Sequence, residues 1–252
     1  MHSIHMYTAD EEHLPNATAP RCAERAVQMA SALIDLARIE NSVPETVPRP
    51  LLCFDEYNVW SPQRAPGKEG AEEKYTLSDA LAVSVYLNGF IRQAKDMGMA
   101  NIAQSVNVIS PLMTSKDGVF KQTTWWPLLL FSKYMRGHTV AVNVRSPEYM
   151  GRTQPAWIRG TIETPFLDCS ATVSGDGYAN LAVANLSEEK DFETEVIGVK
   201  SETVTVYTIG GEHVQVVNTA EEQNVSIKES SWNGKGNFLF GKHSFTLLRW
   251  KV

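Results

Sequence analysis

The chain has 252 residues, 43% of them hydrophobic, and a formal net charge of -6. That length suits one large globular domain or two smaller ones. The acidic balance, with Lys and Arg scattered along the chain, excludes a general binder of nucleic acid or membrane surface. Cys22, Cys53 and Cys169 cannot all pair and lack metal-ligand spacing, so reduced thiols in a reducing compartment are expected. Residues 1–7 contain neither a basic stretch nor a long apolar run, and no segment is apolar over membrane-spanning length. A cytoplasmic protein is therefore expected, and the Asn-x-Ser/Thr triplets at Asn16, Asn185 and Asn224 read as chance matches.

In chain order, residues 3–7 form a short strand candidate, followed by a polar loop over 8–20. Val27, Ala30, Leu33, Ile34 and Ala37 recur at helical spacing within 23–40 and predict an amphipathic helix. A loop with three prolines, 41–50, leads to Leu51-Leu52-Cys53-Phe54, an apolar run suited to a strand buried on both faces. Asp55 and Glu56 follow where that strand would emerge. Alternation predicts that these two carboxylates point to opposite faces. Residues 61–75 form a polar loop placed to act as a lid. Thr76 opens the next helix, with Asp79 completing a capping box and Gly98 as its stop. A third strand is expected over 100–109, then a loop over 110–123 and a helix over 125–136 ended by Gly137. Strand, helix and strand in this order are β/α units; three are present where a closed barrel needs eight.

From about Thr139 the pattern turns to short alternating runs over 140–144, 167–173, 178–186, 194–199, 203–209, 225–227 and 245–250. Gly175-Asp176-Gly177, Gly210-Gly211 and Asn233-Gly234 supply the turns. The expected class is α/β plus all-β, with an α/β unit over 1–137 and a β-sandwich of jelly-roll type over 138–252.

Several of these stretches carry a family likeness. Phe54-Asp55-Glu56-Tyr57-Asn58-Val59-Trp60 resembles the nucleophile segment of the α-L-arabinofuranosidases of glycoside hydrolase family 51, with Tyr57 where Trp is commoner. Ser3-Ile4-His5-Met6-Tyr7, the run from Met99 to Ile109, Gln122-Thr123-Thr124 and His243 to Arg249 match the same family in order. The resemblance covers nearly the whole chain but only the C-terminal part of a typical member. It implies the C-terminal part of a (β/α)8 TIM barrel followed by a jelly-roll β-sandwich. The implied activity is a retaining, non-reducing-end α-L-arabinofuranosidase acting on arabinan- or arabinoxylan-derived saccharides. It further implies Glu56 as the nucleophile and His5, Tyr7, Trp60 and Gln104 as substrate-binding residues. No metal or organic cofactor is required, no nucleic acid or membrane partner is implied, and a homo-oligomer is expected by likeness.

A retaining glycosidase needs a second carboxyl group about 5–5.5 Å from the nucleophile as general acid and base. In the family it lies in an Asn-Glu motif, and no Asn-Glu dipeptide occurs in the chain. Asp10, Glu11 and Glu12 lie in a loop that offers no evident means of raising a pKa. The chain is thus expected to lack its acid segment and to be inactive alone; the alternative is a non-catalytic carbohydrate-binding or regulatory remnant. The residue types also allow blander readings. Asp55 and Glu56 suit an ordinary strand end, His5 and Tyr7 a satisfied core pair, Gln104 a structural hydrogen bond, and Trp125-Trp126 a helix anchor.

Overall fold

The computed structural model describes residues 1–60 and 72–252. Strand β1 (His2–Thr8), helices α1 (His13–Thr18) and α2 (Arg21–Glu40), strand β2 (Leu52–Val59), helix α3 (Leu77–Arg92) and strand β3 (Met97–Ile102) come first. The three strands form a parallel sheet in the order β1-β2-β3, as strand–helix–strand units require. One face packs on α2 and α3, where Leu52, Phe54 and Tyr57 meet Ala23, Val27, Tyr86 and Phe90. The Phe90 ring lies 5.0 Å from Phe54 and 4.9 Å from Tyr57.

Thr76 and Asp79 form the expected capping box of α3. That helix stops at Arg92, and Gly98 lies inside β3, so the third strand begins earlier than the apolar pattern suggested. Residues 103–109 are loop. A hairpin of β4 (Leu112–Ser115) and β5 (Gly118–Lys121) follows where only loop was expected; Asp117-Gly118 was its turn signal. Of the expected lid, residues 61–71 lie outside the described residues, while Glu73 and Tyr75 are buried and the Tyr75 phenol donates to the Val59 carbonyl at 2.7 Å. Helix α4 (Trp125–Tyr134) begins at the predicted tryptophan. Gly137 follows with φ +94°, and a Cβ there would sit 2.3 Å from the Val173 carbonyl oxygen, so only glycine makes this turn.

The remaining strands are β6 (His138–Val140), β7 (Leu167–Val173), β8 (Tyr178–Asn185), β9 (Phe192–Glu195), β10 (Val204–Ile209), β11 (Ile227–Trp232), β12 (Asn237–Phe240) and β13 (Ser244–Lys251). Six of them form an antiparallel sheet ordered β11-β10-β13-β8-β7-β6. Its two faces are sorted by the period of two. Ala182 opposite Leu247, and Ala184 opposite Phe245, face the helices. Leu181 opposite Leu248 faces the β9–β12 ribbon through Phe192, Phe238 and Phe240. This gives a β-sandwich whose second sheet is a two-stranded ribbon among the described residues. Of the expected strand over 225–227 only Ile227 is in a strand, as the first residue of β11, and β12 was missed because its four residues carry little pattern.

The proposed division at 137/138 runs through one packed core. Leu81 and Val85 of α3 and Trp126 and Leu130 of α4 pack directly on Ala182, Ala184, Phe245 and Leu247. The polar part of the same contact is buried. Arg92 donates to both oxygens of Asp168, each at 3.1 Å, and to Glu24 at 2.9 and 2.8 Å, while Arg21 reaches the same two carboxylates. Burial is the largest single influence on Glu24 and opposes its ionisation, but the hydrogen bonds and charge of Arg92, with the Arg21 charge and the Gln93 amide, together outweigh it and hold the pKa below the ordinary value. His13 is buried between the Ser78 hydroxyl and the Leu186 carbonyl, each at 2.8 Å. A carbonyl only accepts, so Nε2 carries the proton and Nδ1 accepts from Ser78.

Helix α2 departs from expectation. Val27, Ala30 and Ile34 face the sheet, but Leu33 is 62% exposed, and with Met29 at 57%, Leu36 at 49% and Ile39 at 76% it forms an apolar stripe open to solvent.

Replacing Arg92 by Met is expected to cost about 3–5 kcal/mol, because it strands Glu24 and Asp168 as buried, partly unpaired charges; urea denaturation measures this. Burial lowers the pKa of His13 below 6.5, so its contribution to stability is present above about that pH and is lost as pH falls through the folded value. Melting temperatures recorded from about pH 7.5 down to about pH 5 should decline less steeply in His13→Gln, which carries no titrating ring.

Candidate active site

The site is built by one irregularity in β2. Leu52, Phe54, Tyr57 and Val59 all point to the helices, so the spacing runs two, three, two. The β1–β2 register shifts at the same place: Ile4 pairs with Phe54, but His5 pairs with Glu56, leaving Asp55 as the extra residue of a β-bulge. Asp55 and Glu56 therefore project from the same face, correcting the prediction from alternation. Their partners agree, since Ser3 and His5 meet Asp55 and Tyr7 meets Glu56, and these three are alternate residues of β1.

Tyr7 Oη donates to Glu56 Oε2 at 2.6 Å, and Trp60 lies edge-on to the Tyr7 ring with centroids 5.4 Å apart. Burial, the Glu56 hydrogen bond and the neighbouring negative charges push the Tyr7 phenol up to about 12, so it stays a donor across the neutral range. Glu56 itself is exposed. The structure thus brings Tyr7, Trp60 and Glu56 together. His5 lies opposite Glu56 in register, but its ring is 3.5 Å from Asp55. The Ser3 hydroxyl and then His5 hold the Asp55 carboxyl below the usual carboxylate range.

Gln104 is exposed in the loop after β3. That loop is tied to the β2 end by Asn58, a fully buried residue whose amide donates to the carbonyls of Ala103 and Ile109. Asn58 was missed in the sequence, although a polar residue just before an apolar strand end must find buried partners. Gln122 and Thr123 brace the other side: Gln122 bonds Glu73, Tyr75 and Ser110 backbone groups, and Thr123 bonds the Tyr75 and Thr76 carbonyls.

Asp10, just beyond β1, accepts from both Arg152 guanidinium nitrogens at 2.7 Å, and Glu12 lies 3.0 Å from the same group. Those hydrogen bonds hold the Asp10 pKa down, the opposite of what a general acid requires. Among the described residues no group of three His, Cys, Asp or Glu side chains could hold a metal ion.

A family model of the α-L-arabinofuranosidase C-terminal domain matches residues 55–244. The chain is 61% identical over its full length to a probable α-L-arabinofuranosidase C of Aspergillus terreus and 57% identical to α-L-arabinofuranosidase C of Emericella nidulans, and covers 50% of each. It spans about half the length of these curated relatives. Among solved structures, an α-L-arabinofuranosidase of Thermotoga maritima in complex with arabinose superimposes with a TM-score of 0.80 at 22% identity, over 99% of this chain and 52% of that one. A family 51 α-L-arabinofuranosidase of Bifidobacterium longum gives 0.83 at 19% identity, with coverage of 99% and 52%. These two share the fold. On the family match and the fungal relatives, the chain belongs to the α-L-arabinofuranosidases of glycoside hydrolase family 51, as a C-terminal portion of that family's sequence.

Proposed function

We propose that this chain supplies the nucleophile half of a retaining α-L-arabinofuranosidase acting on arabinan- or arabinoxylan-derived saccharides. The observation that carries the reading is the 2.6 Å hydrogen bond from Tyr7 to Glu56, made on the open face of a parallel sheet beside Trp60. In this reading Tyr7 occupies Oε2 and orients the carboxylate, leaving Oε1 to attack the anomeric carbon. The bond to the leaving oxygen breaks as the glycosyl ester forms, and water later hydrolyses that ester. Trp60 supplies an apolar wall for the sugar, Gln104 a hydroxyl-binding amide, and the Asp55–His5 pair a polar flank to the nucleophile.

The proton for the leaving group comes from a carboxylic acid outside these 252 residues. Three observations support a larger whole in which the β1-β2-β3 sheet is part of a (β/α)8 barrel and the β-sandwich is a jelly roll. The relatives are twice as long; and among the described residues β1 and β3 each pair only with β2 and nothing covers the α2 stripe of Met29, Leu33, Leu36 and Ile39. A non-catalytic carbohydrate-binding role is the second reading, favoured by the absence of an Asn-Glu dipeptide.

A mechanism-based arabinofuranosyl inhibitor with an activated leaving group, which needs little acid assistance, is expected to esterify Glu56, as read by peptide mass mapping. An adduct on Asp55 overturns the assignment, and saturable arabinose binding without any adduct moves the chain to the second reading. Tyr7→Phe should slow labelling roughly 10- to 100-fold, the effect of losing one hydrogen bond to a charged group, about 1.5–3 kcal/mol. On a natural oligosaccharide the chain alone should show no turnover, since general acid catalysis is worth about 10² to 10⁴ in rate.

A further inference from the structure

We infer that Asp55 is a positioning residue that acts through His5: it holds the proton on His5 Nδ1, so that His5 Nε2 stands on the open side of the sheet as a neutral acceptor for a hydroxyl of the glycone. This deepens the proposed function and rests on it. The β-bulge is its origin. By leaving Asp55 as the extra residue of β2, the bulge sets a second carboxylate on the face that carries Glu56. Two like charges side by side are unfavourable unless each is answered. Glu56 is answered by the Tyr7 phenol at 2.6 Å.

Asp55 is answered on one oxygen only. Its Oδ2 accepts from the Ser3 hydroxyl. Its Oδ1 is closed off from solvent and takes no hydrogen bond, although the side chain as a whole is 38% exposed. A carboxylate oxygen shut away without a donor is costly. The group that faces it is His5 Nδ1, 3.5 Å away and a few tenths of an ångström beyond the ordinary hydrogen-bond range. A protonated Nδ1 suits that place, whereas an unprotonated nitrogen would set its lone pair against the oxygen. With the proton on Nδ1, a neutral imidazole carries its lone pair on Nε2.

That nitrogen is available. His5 Nε2 makes no hydrogen bond among the described residues, and the side chain is 64% exposed. His5 stands opposite Glu56 in the β1–β2 register, one strand spacing of about 4.8 Å away. A sugar carbon held against Glu56 therefore brings its neighbouring hydroxyls within reach of His5. The Tyr7 proton is committed to Glu56 and the Ser3 proton to Asp55, so of these three alternate residues of β1 it is His5 that is left to meet the sugar. A nitrogen that can only accept goes unpaired when the sugar lacks that hydroxyl, which is a strong form of discrimination. Asp55 thereby helps to decide which sugar is held without touching it.

The test reads the tautomer directly, by nitrogen-15 correlation spectroscopy of the His5 ring in the 252-residue chain at about pH 8.5, where an ordinary imidazole is neutral. The unaltered chain is expected to show a protonated Nδ1 and an unprotonated Nε2. Asp55→Ala should move the signals toward the reverse tautomer, and Ser3→Ala, which loosens Asp55 without removing it, should do so less; circular dichroism confirms the fold of each. In parallel, the mechanism-based arabinofuranosyl inhibitor is titrated. The concentration giving half-maximal labelling of Glu56 should rise about 3- to 10-fold in Asp55→Ala, the effect of one neutral hydrogen bond, and Asp55→Ala should add nothing further to His5→Ala. A proton on Nε2 in the unaltered chain, or a tautomer indifferent to Asp55→Ala, overturns the inference. Additive losses in the double variant overturn it too, and in each of these cases an adduct on Glu56 leaves the proposed function standing. No adduct on Glu56 in the unaltered chain instead overturns the proposed function, and the glycone role of His5 with it.

Discussion

The structure depends on helix α3 being buried nearly all round. It lies between the parallel sheet, through Tyr86 and Phe90, and the six-stranded sheet, through Leu81 and Val85. A helix so enclosed has no solvated face for its polar side chains, and each one is answered inside. Ser84 bonds back to the Ala80 carbonyl, Asn88 bridges the Asp168 carbonyl and the Ser170 hydroxyl, and Arg92 joins Glu24 to Asp168. These partners come from α2 and β7, so the same requirement that makes α3 tolerable in the interior fixes the two sheets relative to each other.

The site is a local exception to that regularity. Had β2 kept strict alternation, Glu56 would have pointed with Leu52 and Phe54 into the helices, where an ionised carboxylate is costly. Inserting Asp55 as an extra residue turns Glu56 outward and resumes the apolar alternation at Tyr57 and Val59. Asn58, next along, turns its amide to the β3 loop, so the bulge and the positioning of Gln104 arise within four residues of one strand.

Much of this was legible beforehand. The helical spacing of Val27, Ala30 and Ile34, the capping box at Thr76 and Asp79, and the helix start at Trp125 are local signals, and the structure follows them. The clustering of Tyr7, Trp60 and Glu56 followed from the motifs. The bulge at Asp55 was not legible, because register is a property of two strands and the apolar pattern of one does not reveal an added residue until its partner is known. Leu33 misled for a related reason. Helical periodicity separates apolar from polar faces but does not distinguish a face packed on this chain from one left open. The salt-bridge network was invisible because Glu24, Arg92 and Asp168 are 68 to 144 positions apart and ordinary in their local context.

The core shared across Gly137 bears on how such a protein can change over evolutionary time. Modules that recombine freely carry their hydrophobic interiors with them and join through linkers. Here Ala182, Leu247 and Phe245 fill the space against Leu81, Trp126 and Leu130, so each part completes the other's interior. Grafting the β-rich part onto an unrelated enzyme would transfer an apolar wound along with the strands, and a lineage carrying this architecture is constrained to inherit both parts together.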